Sequence, residues 1–210
     1  RAGLDLPVIR GLAEKCRERD LDAAAERAAR GGHTDVLDLL ASEFGAEIGV
    51  DCLTGAARRG HNAMIDHLVE QYGVDPNGDD GDGWTALHKA ARRGLVRTVK
   101  HLVEKHKVDI HKKTMRSRQT ALDDALRSDM TACAAYLREV TYTQLLTGEY
   151  RGDVDVWLFL SAARRGDDAM IDLLVERYGV DPNGADEDGW TALHLAASRG
   201  RVRTVKHLVE

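Results

Sequence analysis

The chain has 210 residues, of which 43% are hydrophobic, 31% charged and only 5% aromatic, the balance of a folded protein rather than a disordered one. A net charge of −5 and a pI near 6.0 argue against a nucleic-acid partner, since such proteins are normally basic. No stretch approaches the roughly 18–20 apolar residues of a membrane span, so no membrane insertion is expected.

Residues 1–16 carry Val8, Ile9 and Leu12 on helical spacing and predict a helix that caps the apolar face of the first repeated unit. Residues 17–50 read as that unit in degenerate form, in which Ala28-Ala29 and Gly32 precede the run Val36-Leu37-Leu40 and the return segment 44–50 is abbreviated. Two regular units come next at 51–83 and 84–119, then a drifted one at 120–154. Residues 155–189 and 190–210 repeat the regular pair, and the last stops within its second helix. Residues 56–104 overlay residues 162–210 at an offset of 106 (162 − 56), without a gap and with about nine differences. Inside each block the period is 34 (90 − 56 and 196 − 162), a length that signals stacked supersecondary units.

Each unit reads as two short helices. In the first, Leu87, Ala90 and Ala91 lie at i, i+3 and i+4 and make one apolar stripe. Gly94 then supplies a left-handed stop. In the second helix Val99, Leu102 and Val103 repeat the spacing, as do Ile65, Leu68 and Val69, then Ile171, Leu174 and Val175, and finally Val205, Leu208 and Val209. One helix pair cannot bury both stripes, so neighbours must stack. Thr85 and Thr191 stand where an N-cap hydroxyl satisfies free amides. The fourth unit departs from the pattern: Asp123 replaces the histidine of Thr85-Ala86-Leu87-His88, and Asp129 stands in the place of Gly94. Segment 140–155 lacks an Asp-x-Asn turn, so an irregular, weakly coupled connection is expected there.

The run from Gly73 through Val74-Asp75-Pro76-Asn77-Gly78 to Gly83-Trp84-Thr85-Ala86-Leu87-His88, repeated from Gly179 to His194, resembles the finger and first helix of ankyrin repeats, with Ala86 where proline is usual. The resemblance implies an all-α repeat solenoid of stacked helix-turn-helix repeats with short β-hairpin fingers. It divides the chain into a capping helix (1–16), repeats one to four (17–154, the fourth degenerate) and repeats five and six (155–210, the last truncated). It also implies that His88 and His194 hydrogen-bond back to their threonines. Its functional implication is a non-catalytic scaffold that binds a partner protein on its concave face. That face would present Asp79, Asp80, Asp82, Trp84, Lys89, Arg92 and Arg93 in one block, and Asp186, Glu187, Asp188, Trp190, Leu195, Ser198 and Arg199 in the other. The alternative is a regulatory or targeting segment of a larger enzyme or channel. A cytoplasmic or nuclear monomer without cofactors is expected.

Chemistry of other kinds finds little support. The acidic finger from Asp75 resembles a calcium loop only briefly, since Asp80 and Ala86 occupy the places of its required glycine and glutamate. No HExxH motif or Cys/His pair at zinc spacing occurs. His101, His106 and His111 recur at five-residue intervals, which is not one helical face, so no metal site is expected. Cys16, Cys52 and Cys133 read as reduced thiols, and no nucleophile motif or glycine-rich phosphate loop indicates an enzyme. The basic run from Arg92 to Arg118 is read either as a face for an acidic partner or as ordinary solvated surface, the latter preferred. Trp84 and Trp190 are read either as recognition anchors or as structural residues at the finger base.

Overall fold

The computed structural model describes residues 18–149, 154 and 156–210. The helix expected over 1–16 lies outside them. Among the described residues twelve α-helices form six successive pairs. These are α1 (Glu18–Gly31) with α2 (Thr34–Phe44), α3 (Val50–Arg59) with α4 (Asn62–Tyr72), and α5 (Ala86–Arg92) with α6 (Val96–Glu104). The remaining pairs are α7 (Ala121–Arg127) with α8 (Thr131–Thr147), α9 (Val156–Arg165) with α10 (Asp168–Tyr178), and α11 (Ala192–Ser198) with α12 (Val202–Val209). The architecture is an all-α repeat solenoid, and its helices belong to two compact units divided between Thr141 and Tyr142.

In the first unit the leading helices pack side by side, α1 on α3, α3 on α5 and α5 on α7, while α2, α4 and α6 each lie on their own partner. The alanine stripes explain the close approach. Ala29, Ala56, Ala57, Ala90, Ala91, Ala121 and Ala125 are all fully buried, and a side chain of one carbon keeps neighbouring backbones close. The larger residues, including Ile65, Leu68, Val99 and Leu102, fill the space between first and second helices. In the second unit α9 packs on α11, and α10 and α12 lie on their partners. Its core joins Leu145, Phe159, Leu160, Met170, Ile171 and Leu174.

The fingers are slighter than hairpins. Each is reduced to one bridge, between Asp79 and Thr85 and between Ala185 and Thr191. Finger packing is nevertheless tight: Gly83 has φ +85, and a Cβ there would meet the Met115 amide nitrogen at 2.7 Å.

The expectation of an irregular connection over 140–155 is corrected in part, and residues 150–153 and 155 of that segment lie outside the described residues. Segment 140–147 is not an irregular connection but the continuation of α8. Its residues include no glycine or proline, the Thr141 hydroxyl donates to the Leu137 carbonyl at 2.8 Å, and Leu145 is fully buried. The helix stops only at Gly148, with φ +77. The left-handed turn between α7 and α8 also survives the loss of glycine, because Asp129 itself adopts φ +56, a conformation that aspartate tolerates better than most residues.

Candidate functional site

The finger of the third repeat is fixed by a reciprocal cap. The Thr85 amide donates to Nδ1 of His88 at 3.3 Å, and the His88 amide donates to the Thr85 hydroxyl at 3.4 Å. Since Nδ1 accepts, the ring proton sits on Nε2, which donates to the Gln119 carbonyl of the next finger at 3.1 Å. Burial depresses His88 from 6.5 to about 4, so a neutral ring ties two successive repeats together. In the fourth repeat Asp123 substitutes for the histidine. Its Oδ2 accepts from the Thr120 amide at 3.1 Å and from the Thr120 hydroxyl at 3.0 Å. His194 keeps the local contacts, with Nδ1 at 3.3 Å from the Thr191 amide and 2.9 Å from its hydroxyl.

On this frame stands Trp84, half-buried. Lys89 Nζ lies 4.8 Å and Arg92 Cζ 5.2 Å from its ring centroid, and His88 meets it edge-on at 6.0 Å. Lys89 also bonds Asp80 Oδ2 at 2.7 Å, while the other Asp80 oxygen accepts from the amides of Trp84 and Asp82. Burial works to raise the Asp80 carboxyl, but Lys89 and these amides outweigh it and hold it below 3.8. Asp79 is held low chiefly by Lys112, whose ammonium lies 2.7 Å away. Asp79 and Asp80 are thus each paired with a lysine from a following segment, Lys112 and Lys89. Asp82, Arg92 and Arg93 are the exposed members of this set.

The second copy has the same backbone and a different surface. Leu195 and Ser198 replace Lys89 and Arg92. Asp186 still accepts from the amides of Trp190 at 2.8 Å and Asp188 at 3.1 Å, but Leu195 supplies it no cation. Trp190 is 45% exposed, and Ser198 turns back to donate to the Leu195 carbonyl at 3.0 Å. Glu187, Asp188 and Arg199 are exposed, and Asp186 and Leu195 are half-buried. Of the predicted residues, Asp80, Lys89 and Arg92 meet Trp84 and Asp186 bonds the Trp190 amide, so the first ring is clad in cations where the second copy has Leu195 and Ser198.

Sequence reasoning passed over Asp124. It lies 35 positions (124 − 89) after Lys89, the same step that carries Thr85 to Thr120, so the repeat arithmetic could have found it. Asp124 is 2% exposed, and its Oδ2 has no hydrogen-bond partner among the described residues. Burial raises it to about 6, and the nearby charge of Arg92 pulls the other way. The basic run is dispersed rather than gathered: Lys105, Lys112 and Arg116 are each paired with acids, and Lys100 lies over Tyr136. Cys52 and Cys133 are buried and their thiols are raised by that burial, the reverse of what a nucleophile needs. His101 and His106 do converge, on Asp66, because His106 lies beyond the end of α6 and is freed from its helical register.

Six successive helix pairs among the described residues, two of them entered through a finger bridge and a Thr–His cap, define a helical repeat protein. Family models of ankyrin repeats match residues 53–148 (three copies) and 159–209 (many copies), and the chain belongs to the ankyrin-repeat family. It is similar to the potassium channel AKT1 of Arabidopsis thaliana, at 46% identity over 29% of this chain and 7% of the channel. It is also similar to the human transient receptor potential cation channel subfamily A member 1, at 31% identity over 48% of this chain and 9% of that protein. The chain therefore spans less than a tenth of either channel's length.

Proposed function

We propose that the chain is a non-catalytic scaffold that binds a partner protein on its finger and first-helix face, with Trp84 as the anchor in the first unit and Trp190 in the second. The observation that carries this reading is the half-open Trp84 ring beneath two cations, Lys89 and Arg92, whose charges also act on the buried and underpaired Asp124. A tryptophan flanked by arginine is the composition of an interface hot spot. The buried carboxylate costs stability, which a binding surface tolerates better than a structural one does. Replacing Trp84, Lys89 and Arg92 together by alanine is expected to abolish capture of the partner from the source cell while leaving the thermal unfolding midpoint within a few degrees. Undiminished capture by the triple variant would refute the site.

A second reading places the array within a longer channel as its regulatory or targeting arm, in the cytoplasm. It rests on the two similar proteins being channels of which this chain matches a small part. Among the described residues no helix is long and apolar enough to cross a membrane. The parent gene sequence beyond residues 1–210 separates the two readings, since flanking membrane spans are required by the second.

A further inference from the structure

On the second helices, away from the fingers, a recurring contact links one repeat to the next. His67 Nε2 lies 2.6 Å from Asp38 Oδ1, His101 Nε2 lies 2.7 Å from Asp66 Oδ1, and His207 Nε2 lies 2.6 Å from Asp172 Oδ1. In the first of these a second donor, the Tyr72 hydroxyl, reaches the same Asp38 oxygen at 2.6 Å. One period later (106 − 72 = 34) the tyrosine is replaced by His106, whose Nε2 reaches Asp66 Oδ1 at 2.7 Å. The plain function of the contact is a hydrogen-bonded staple. At Asp66 the exchange of phenol for imidazole changes what the staple can hold.

We propose that Asp66, His101 and His106 form a binding site for a divalent transition cation of the zinc class, which clamps the second and third repeats together. Two imidazole nitrogens and a carboxylate oxygen converge within 4.8 Å of one another, the donor set of a three-ligand zinc site with water in the fourth position. The ligands come from two neighbouring repeats, so the cation bridges α4 and the turn after α6. His106 is only 5% exposed, which shields the site from one side, while Asp66 and His101 are 25% and 21% exposed and leave an entry path. Lys105 holds the other Asp66 oxygen at 2.9 Å and Glu70 at 2.9 Å, steering Oδ1 toward the two rings. Tetrahedral zinc with bonds near 2.0–2.1 Å needs ligand atoms about 3.3 Å apart. The observed 2.7 Å separations must therefore open by about 0.6 Å, a shift within reach of two partly exposed side chains. Binding exchanges two N–H···O hydrogen bonds for two nitrogen–metal bonds: each Nε2 gives up its proton to water, and the bound ring carries its proton on Nδ1. The neighbouring staple is a built-in control: the Tyr72 phenol, raised by burial and by Asp38 to about 12, stays protonated and does not ligate.

The test is a chelator-buffered titration of the full chain with Zn²⁺ alone, wild type against His106→Tyr. The variant copies the Asp38–Tyr72 contact and so retains a hydrogen bond to Asp66. The wild type should take up one Zn²⁺ at its tightest site. At free zinc 100-fold above the Kd its folding equilibrium constant should rise about 100-fold, with the gain lost in His106→Tyr. Should that variant fail to fold, nitrogen-15 NMR of the wild-type imidazoles decides. The Nε2 resonances of His101 and His106 must move together and saturate at one equivalent. Equal zinc uptake and stabilisation in both proteins, no uptake by the wild type, or movement of only one of the two rings overturns the proposal.

Discussion

The Lys89 ammonium stands 4.8 Å from the centre of the Trp84 ring while bonding Asp80 at 2.7 Å. One side chain thereby covers the tryptophan and neutralises Asp80. In the duplicate, Leu195 stands at the corresponding place before a Trp190 that is 45% exposed. Exchanging the two residues should exchange the two states. Lys89→Leu is expected to cost roughly 1 kcal/mol, and Leu195→Lys to add about 0.5 kcal/mol to the second unit, from a partly desolvated cation–π contact and ion pair. Urea unfolding at low and high salt checks this, since the ionic share should shrink as salt rises.

His88 sets an acid limit. Its folded pKa of about 4 lies below its ordinary 6.5, so the unfolded chain takes up the proton first. The stability that the neutral ring supplies is full above pH 6.5 and is lost as pH falls to about 4, a change of about 3 kcal/mol. The carboxyls of Asp66, Asp79 and Asp80, all held below 3.8, add their own loss only below that value.

Asp124 acts with the opposite sign and masks the effect of His88. Its folded pKa of about 6 exceeds the ordinary 3.8, so stability is highest below pH 3.8 and declines as pH rises through 6. In the wild type the two trends offset one another between about pH 4 and 6. Asp124→Asn should raise stability by roughly 1–2 kcal/mol at about pH 7 and expose the full His88 decline. Denaturant midpoints of both proteins at about pH 7, 5 and 4 provide the measurement, and parallel profiles would contradict this assignment.

Similar sequences in different surroundings should exchange at different rates. Leu87 is 1% exposed and Val99 fully buried, yet Leu193 is 41% exposed and Val205 half-buried. In a repeat array stability is local and comes largely from neighbours. Amides of α11 and α12 should therefore lose protection well before those of α5 and α6 in hydrogen-exchange mass spectrometry. Equal protection would mean that the α11–α12 pair draws its stability from within.

The helix pairs are legible in the sequence because apolar spacing, capping threonines and the 34-residue period all state the same local rule. Thr85 is legible as an N-cap from its place before the apolar stripe, whereas its bond with His88 is legible only through the resemblance to ankyrin repeats. Asp123 and Asp129 mislead because position, not residue identity, carries the geometry: a carboxylate also caps a helix, and aspartate also enters the left-handed region. The extension of α8 is hidden because an absent turn motif looks like a broken helix, although residues 140–147 are compatible with continuing it. His101 and His106 fall to a helical-register argument that fails once the chain has left the helix. The repeat step places Asp124 at the position of Lys89, but its burial and its unpartnered oxygen are seen only in the fold.

The most direct test of recognition by the finger and first-helix face is photo-crosslinking in the source cell. A photoreactive residue replaces Arg93, at the end of α5, in one variant and Lys100, on α6, in another; both native side chains are exposed. A discrete protein adduct is expected from position 93, absent from position 100 and lost when Trp84 is also changed to alanine. An adduct formed from position 100 and not from 93 would contradict recognition by that face.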